Sequence, residues 1–405
     1  MIAPSRRSAA ELVASAAALK QRHDWDALAA LAAELPPHWG AEWLRAADEV
    51  AFAEGQRGRF VAARDLLVRA FEREPSHRRA SALAYVHYAA LLAHNIRKPR
   101  LDEPEPWRKG FERWITEALR LRPDSIVDRY RLGVYYASIL TQKDTLALRA
   151  FCEAIALFER LPAAARTPRH RLATPYVRAL YGAARSAYRL GRLDQARRWI
   201  FRCIRFDHER HHQKPVFKLF LAAKVLVAQE QLADAERALR LAVDAPHDGD
   251  RDFVYALLAE IALRQNRIED AAQWIVLNLP AHNRKPYIWR LLGDCEARGG
   301  RVDRALKLYK SALLKDRAGR HKTLLRVGRL AEQVGQLAEA RRAYEQAAEF
   351  RRRRYLSEEV AALEALARVC EQQGDREAAR AAFTRMARLP LHAERAEQEL
   401  ARLAG

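Results

Sequence analysis

The stretch HERHH, residues 208–212, has residue types and a spacing that could bind zinc. In the H-E-x-x-H motif of zinc hydrolases, two histidines on one face of a helix hold the metal and the glutamate activates water. Such a site needs a third ligand, and the first carboxylate downstream is Glu230. If one helix separates them, Glu230 lies about 20 Å away at ~1.5 Å per residue. A solvated turn is therefore the favoured interpretation, and zinc hydrolysis through His208, Glu209 and His212 is a minor alternative.

Other catalytic motifs are absent from the sequence. It contains no G-x-x-x-x-G-K-[ST] loop for nucleotide phosphates, no G-x-G-x-x-G fingerprint and no G-x-S-x-G nucleophile turn. The acidic residues are spread along the chain, where their solvation on helix surfaces explains them. We therefore expect a protein that is not an enzyme and that holds no cofactor or resident metal.

The composition favours helices and produces a strongly positive field. Half of the 405 residues are hydrophobic, and alanine and leucine, which have high helix propensity, dominate. The formal net charge is +21, and such a field attracts nucleic acid, anionic lipid or acidic protein surfaces. Arginine outnumbers lysine roughly five to one, as also happens under the codon bias of a GC-rich genome. Composition bias is therefore an alternative origin of the charge.

The cysteines and the hydropathy indicate a reducing compartment and no membrane insertion. Four cysteines lie far apart in the sequence, and none belongs to a C-x-x-C pair: Cys152, Cys203, Cys295 and Cys370. Each falls inside an apolar helical pattern, which predicts buried, reduced thiols and a cytoplasmic protein. No stretch of about 18 uncharged apolar residues is present, so we expect no transmembrane helix.

A degenerate pattern recurs along the chain, and its turn positions are 34 to 39 residues apart over 191–374. In the clearest unit, positions 4, 7, 8, 15, 20, 24 and 27 are Trp289, Leu292, Gly293, Gly300, Ala305, Tyr309 and Ala312. The next unit has Leu324, Val327, Gly328, Gly335, Ala340, Tyr344 and Ala347. Related units place their turn at Gly58, Gly191, Glu230, Asn266 and Gly374. A period of this length predicts an array of helix pairs.

This pattern resembles the tetratricopeptide repeat family, whose unit of about 34 residues is a pair of antiparallel helices. The resemblance implies an all-α fold, a right-handed superhelical α-solenoid of stacked antiparallel helix pairs. It also implies a division of the chain into a worn repeat or cap over 1–38, repeats over 39–162 of which two are irregular, six repeats over 171–390, and a capping helix over 391–405.

The residue types at the repeated positions have physical reasons. Small residues at positions 8 and 20 let the two helices approach closely, and an aromatic ring at position 24 fills the space beside them. Glycine at position 15 ends the first helix in a left-handed turn, where a Cβ atom would be strained. Two units depart from the pattern, since 78–123 carries an inserted loop and 125–162 lacks the glycine turn.

By the same resemblance, the first helix of each pair lines a concave groove. The residues predicted at its exposed positions are basic or aromatic: Arg178, Tyr181, Arg185, Tyr188, Phe220, Lys224, Tyr287, Arg290, Lys322, Arg326, Arg329 and Arg368. Arginine binds carboxylates and phosphates through paired hydrogen bonds. We therefore predict a non-catalytic scaffold or adaptor that binds an acidic or extended segment of a partner protein in this groove.

A second reading of the same surface is a helical-repeat protein that binds RNA. Stacked helix pairs can contact single-stranded RNA with polar and aromatic side chains, and the charge and aromatic residues fit. The regular pair of selector residues found in repeats that each read one base is not present. Nucleic acid is therefore the alternative partner, and an acidic protein segment is the favoured one.

Overall fold

The computed structural model describes residues 7–36, 40–96, 101–140 and 143–404. These residues form 21 α-helices and no β-strand, which confirms the predicted all-α class. No helix in this part of the chain is long and apolar enough to cross a membrane. The chain divides into two compact units, Met1–His247 and Asp248–Gly405. Within each unit, consecutive helices pack side by side, so each unit is a stack of helix pairs.

The first unit contains twelve α-helices in the described residues. They are α1 (Ala9–Gln21), α2 (Trp25–Ala30), α3 (Leu44–Gln56), α4 (Phe60–Arg73), α5 (His77–Ile96), α6 (Pro104–Leu121), α7 (Ile126–Val134), α8 (Asp144–Glu159), α9 (Ala173–Arg189), α10 (Leu193–Phe206), α11 (Pro215–Ala228) and α12 (Leu232–Asp244). Short 3₁₀ segments lie at Leu31–Glu34, Ala41–Trp43 and Ala163–Ala165, and a π-helical turn at Tyr135–Ile139.

The second unit contains the remaining nine. They are α13 (Asp252–Arg264), α14 (Ile268–Asn278), α15 (Pro286–Arg298), α16 (Val302–Lys315), α17 (Arg320–Gln333), α18 (Leu337–Tyr355), α19 (Val360–Gln372), α20 (Arg376–Ala387) and α21 (Ala393–Ala404), with a 3₁₀ segment at Ala281–Asn283. The six repeats predicted over 171–390 correspond to the pairs from α9–α10 to α19–α20. Two of these pairs lie in the first unit and four in the second.

The turn inside a helix pair has the left-handed conformation predicted at position 15. Gly300 has a φ of +75°, and similar φ values are found at Gly58, Gly191, Gly335 and Gly374. Glu230 and Asn266 adopt this conformation as well, with φ of +56° and +61°, although they carry a Cβ atom. The N–H of Arg301 donates to the carbonyl of Glu296 at 2.9 Å, which satisfies a terminal carbonyl of α15.

Close contact between a small residue and an aromatic ring sets the spacing within the pairs. A Cβ atom added at Gly293 would lie 2.4 Å from the Tyr309 ring, and one at Gly328 would lie 2.5 Å from the Tyr344 ring. Both tyrosines are almost completely buried. The predicted roles of positions 8 and 24 are therefore confirmed in these two repeats, because any larger residue at position 8 would displace the ring.

The irregular repeats still form helix pairs, but their connections and the aromatic residues packed between their helices differ. The inserted loop between α5 and α6 includes residues 97–100, which lie outside the described residues. In the unit without a glycine turn, α7 runs into the π-helical turn that begins at Tyr135. The Tyr135 ring lies 4.3 Å from the Phe111 ring, and its hydroxyl donates to Glu112 Oε1 at 2.8 Å. Tyr135 therefore anchors the irregular repeat to α6.

The contact between Gly328 and Tyr344 can be tested with one substitution at two positions. Gly328→Ala should lower the free energy of unfolding by about 1–3 kcal/mol, because the methyl group overpacks a buried ring. Gly55→Ala is the control, since a Cβ atom at this helical glycine meets no atom within 4 Å. It should leave stability unchanged or raise it by up to ~1 kcal/mol through helix propensity. Urea denaturation followed by circular dichroism measures both, and equal effects would contradict the packing argument.

Candidate partner-binding surface

In the first unit, the predicted site residues lie on the first helices α9 and α11: Arg178, Tyr181, Arg185, Tyr188, Phe220 and Lys224. The structure brings three of them together. The Lys224 ammonium lies 4.8 Å from the centroid of the Tyr188 ring and 6.0 Å from that of the Phe220 ring. These distances are within the range of cation–π attraction, so Tyr188, Phe220 and Lys224 form one cluster that joins α9 to α11.

Two of the other three residues of this group hold α9 against the preceding repeat. Arg185 Nη2 donates to Ser138 Oγ at 3.0 Å, and burial lowers the pKa of the Arg185 guanidinium. Arg178 is exposed but hydrogen-bonds to Tyr130, whose pKa is raised by burial. Burial also raises the pKa of the half-buried Tyr181. Arg178 and Arg185 therefore have structural partners, which the sequence pattern does not reveal.

In the second unit, Arg290 and Tyr287 are also engaged. Arg290 Nη1 lies 2.5 Å from Asp316 Oδ2, and both side chains are only about a tenth exposed. The Asp316 carboxylate also accepts two backbone N–H groups at the start of α17, and these contacts lower its pKa against the effect of burial. Burial and a hydrogen bond to Asp252 raise the pKa of Tyr287. Arg290 thus links α15 to the segment before α17, and Tyr287 links α15 to the start of α13.

A three-residue chain of hydrogen bonds links α15, α16 and α17. Asp294 Oδ1 accepts from the Tyr309 hydroxyl at 2.8 Å, and Arg326 Nε lies 2.9 Å from each oxygen of the same carboxylate. Burial, followed by the charge of Asp294, raises the pKa of Tyr309, so its hydroxyl stays protonated as a donor. Arg326 therefore binds an acid of the preceding repeat.

The next repeat contains the same arrangement. Glu332 accepts from the Tyr344 hydroxyl at 2.8 Å and from Arg368 Nε at 2.8 Å. The hydrogen bond from Arg368 is the main reason that the pKa of Glu332 lies below its ordinary value. Glu332 is not among the residues predicted from the sequence, whereas its partner Arg368 in the following repeat is.

The series continues into the last helix. Arg395 Nη1 on α21 donates to Glu364 at 2.8 Å, and Arg402 Nη2 donates to Glu371 at 2.6 Å. We call the four acids and their arginine partners the carboxylate ladder: Asp294–Arg326, Glu332–Arg368, Glu364–Arg395 and Glu371–Arg402. The ladder neutralises arginines that the sequence pattern places in a basic groove, and it makes this surface of the second unit mixed in charge.

Two predicted cations of α17 stand apart from the ladder. Lys322 and Arg329 are both exposed, and within the described part of the chain neither side chain forms a salt bridge. They are seven residues apart, which is about two helical turns, so they lie on the same side of α17. We call Lys322 and Arg329 the α17 cation pair. It is the part of the predicted site in this unit that remains available to an anionic partner.

The HERHH stretch forms the turn between α10 and α11 rather than a helix. His212 Nδ1 lies 2.9 Å from Thr174 Oγ1, and its Nε2 lies 2.8 Å from the carbonyl of Pro168. Both ring nitrogens of His212 therefore have hydrogen-bond partners within the fold. Among the described residues, no three His, Cys, Asp or Glu side chains form a group that could hold a metal ion. This geometry does not favour the zinc alternative.

A buried ion pair explains why this turn has a fixed conformation. Lys218 Nζ lies 2.7 Å from Asp207 Oδ2 and also donates to the carbonyl of Asp207 at 2.9 Å. The Asp207 carboxylate accepts the backbone N–H groups of His212 and Gln213 at 2.8 and 3.0 Å. Because nearly all of its hydrogen-bonding capacity is used, the pair is a structural clamp between two repeats.

Comparison with protein families finds the tetratricopeptide repeat at residues 281–321 and 325–393. Three solved structures resemble the chain: PilF of Pseudomonas aeruginosa, a tetratricopeptide repeat protein of Parabacteroides merdae and yeast Tom70. PilF has 16% identity and a TM-score of 0.41, over 57% of this chain and 88% of that one. The Parabacteroides protein has 14% identity and a TM-score of 0.46, over 67% and 93%. Tom70 has 14% identity and a TM-score of 0.44, over 98% and 95%. No curated protein matches the chain.

The buried pair predicts a large effect from removing one charge. Lys218→Met leaves the Asp207 carboxylate buried without its cation, which should lower the free energy of unfolding by about 3–5 kcal/mol. Lys109→Met is the matched control, because Lys109 is exposed on α6, and it should change stability by less than ~0.5 kcal/mol. Thermal or urea unfolding of the two variants distinguishes these outcomes. A small effect at Lys218 would show that the pair does not stabilise the turn.

The ladder predicts a pH dependence at Glu332. Since the folded-state pKa of Glu332 is depressed below its ordinary value of 4.5, its stabilisation is complete above that pH and is lost as the pH falls through the folded pKa. Arg368→Gln should therefore cost about 0.5–1 kcal/mol at pH 7, a value set by the exposed position of the pair. The difference from wild type should shrink below pH 4.5. Arg304→Gln is the control, because Arg304 is exposed on α16, and an Arg368→Gln deficit that persists at pH 3 would contradict the assignment.

Proposed function

Because residues 281–321 and 325–393 are tetratricopeptide repeats, we propose that the protein is a non-catalytic scaffold for an acidic, extended segment of a partner protein. Tetratricopeptide repeat proteins bind protein partners, and members of the family are generally not catalysts. The segment binds along the first helices of the second unit, beside the α17 cation pair. We also propose a cytoplasmic location, which agrees with free cysteines of which three are buried.

The observation that carries this proposal is the surplus of positive charge at one place on a neutralised surface. Asp294 and Glu332 each have an arginine of the following repeat as partner, so the ladder offers no unpaired acid beside α17. Lys322 and Arg329 are exposed and remain unpaired among the described residues. Carboxylates of a bound segment would supply the missing partners, because guanidinium and ammonium groups hydrogen-bond to carboxylates.

The mixed charge of the ladder favours a peptide over a nucleic acid on this surface. A phosphate backbone carries one negative charge per nucleotide, so a strand laid along α15, α17 and α19 would meet Asp294, Glu332 and Glu371. A peptide can place neutral residues opposite these carboxylates and acidic residues opposite Lys322 and Arg329. The same reasoning makes an extended segment preferable to a folded acidic domain, since the ladder lies on successive first helices.

The affinity of the full-length protein for a fluorescent acidic peptide tests the proposal. A twelve-residue peptide rich in Asp and Glu, with interspersed Ser and Leu, should bind at micromolar concentration, or about −8 kcal/mol. Lys322→Glu/Arg329→Glu should weaken binding at least tenfold, because two attractive contacts become repulsive. Fluorescence anisotropy measures the affinities, and circular dichroism shows whether the variant is folded.

A matched variant separates local recognition from overall charge. Arg304→Glu/Lys307→Glu makes the same change in net charge on exposed positions of α16, a second helix, and should bind the peptide nearly as tightly as wild type. Equal weakening by the two variants would mean that only the net charge matters. A neutral version of the peptide, in which Gln replaces every Asp and Glu, should not bind. Tight binding of that neutral peptide would refute an electrostatic site.

A further inference from the structure

The positive charge of the chain is concentrated in one segment of the first unit. Residues 160–229 contain sixteen lysines and arginines but only three acids. This segment, about a sixth of the chain, carries more than half of the net charge of +21. Codon bias would enrich arginine everywhere, but it gives no reason for acids to be missing from one stretch. Codon bias therefore does not explain why acids are scarce in residues 160–229.

The three acids of this segment do little to neutralise its surface. Asp207 is buried against Lys218. Asp194 accepts a hydrogen bond from the neutral amide of Gln229 at 2.8 Å, and Glu209 lies 3.6 Å from His208 in the turn. In the second unit, by contrast, arginines of the first helices are paired with carboxylates in the ladder. The arginines of residues 160–229 thus leave a surplus positive field on the first unit.

Four of these arginines lie on α10. Arg198, Phe201 and Arg205 are exposed and recur at spacings of three and four residues, so they form one stripe on the helix. Together with Arg197, Trp199 and Arg202 they line an open groove of about 480 Å³. We call these six residues the α10 patch. Because α10 is the second helix of its pair, the patch does not belong to the surface of the first helices.

The patch holds some of its guanidinium groups against aromatic rings. The Arg197 guanidinium lies 5.8 Å from the centroid of the Phe201 ring, and that of Arg202 lies 6.0 Å from the Trp199 ring. Arg202 also pairs with Glu159 at 2.6 Å, whereas Arg198 and Arg205 form no salt bridge with any described residue. The Arg197 guanidinium, held beside the Phe201 ring, forms no salt bridge with any described residue and can offer its N–H groups to an anionic oxygen, and the exposed part of Phe201 offers a flat apolar contact.

The basic surface continues beyond the end of α10. The carbonyl of Arg205 lies 3.0 Å from His208 Nδ1, and the same turn contacts the preceding loop through His212 and Pro168, 2.8 Å apart. That loop carries the exposed arginines Arg166, Arg169 and Arg171, and the turn carries the exposed Arg210. From Arg198 to Arg205 alone the helix spans about 10 Å at ~1.5 Å per residue. The turn and the loop extend this track.

We propose that the α10 patch is a binding site for single-stranded nucleic acid. Its uncompensated arginines would bind successive phosphates, and Phe201 would stack against an unpaired base; base stacking on aromatic rings and a basic track for the backbone are the two components of such sites. A duplex has no unpaired base to offer to Phe201.

The test uses the full-length protein with fluorescein-labelled U20 RNA and T20 DNA. Both should bind at 50 mM salt, and log K should fall with log salt at a slope of about −0.7 for each phosphate neutralised. Arg198→Glu/Arg205→Glu should weaken binding at least tenfold and make the slope shallower by about 1.4. Phe201→Ala should weaken binding at least fivefold and leave the slope unchanged, because stacking carries no counterion release. A difference between U20 and T20 would show whether the 2′-hydroxyl contributes.

The control is Arg304→Glu/Arg342→Glu, which reverses two exposed arginines on second helices of the other unit. It should bind within twofold of wild type. Absence of binding at 50 mM salt, or equal weakening by this control, would overturn the proposal. So would a poly-glutamate peptide that competes as well as U20 while Phe201→Ala has no effect, since that result identifies an acidic protein as the ligand. If Arg198→Glu/Arg205→Glu unfolds, Arg198→Gln/Arg205→Gln gives the same comparison without charge reversal.

Two cross-measurements keep this proposal separate from the scaffold function. The α10 variants should bind the acidic peptide with wild-type affinity, and Lys322→Glu/Arg329→Glu should bind U20 normally. If the wild-type protein fails to bind U20 but binds the acidic peptide, only the α10 proposal is refuted. If it fails to bind the peptide but binds U20, only the scaffold proposal is refuted.

Discussion

The contact between a glycine at position 8 and a tyrosine ring at position 24 orders two repeats of the second unit. Because Gly293 and Gly328 have no Cβ atom, the rings of Tyr309 and Tyr344 lie against the backbone of the first helix. That position brings each hydroxyl within 2.8 Å of a carboxylate on the same helix. Each carboxylate then binds an arginine of the following repeat. A packing rule inside one repeat thus orders the ionic contacts between repeats.

The two units differ in how their arginines are paired with acids. In the second unit, arginines of the first helices meet acids of a neighbouring repeat, so the ladder has little net charge except at Lys322 and Arg329. In the first unit, residues 160–229 have few acids, and Arg198 and Arg205 stay without a counter-charge among the described residues. Codon bias accounts for an abundance of arginine but not for this contrast. The distribution of acids, rather than the number of arginines, therefore distinguishes the two surfaces.

The sequence alone predicts the helix pairs and their left-handed turns, because these depend on contacts inside one repeat. Glu230 shows that the phase of the pattern locates the turn even where glycine is absent. The availability of Arg290 and Arg368 is not predictable in this way, since Asp316 and Glu332 lie in neighbouring elements. The α10 patch lies on a second helix, outside the positions that the repeat pattern assigns to the groove. Its signal, the scarcity of acids over 160–229, is nevertheless visible in the sequence.

Under the two proposals, the charge patterns also select against the wrong ligand at each surface. A strand with a phosphate at every step, laid across α15, α17 and α19, would have to compete with Asp294, Glu332 and Glu371 for the arginines that these acids already bind. An acidic peptide avoids this competition by spacing its acids. At the α10 patch no described acid lies between Arg198 and Arg205, so a continuous row of phosphates meets no repulsion there, and a spaced set of carboxylates would leave part of the positive field unmatched. The two proposals thus direct two kinds of anion to two helix faces, because the carboxylates of one face are paired in the ladder, whereas Arg198 and Arg205 of the other have no salt-bridge partner among the described residues.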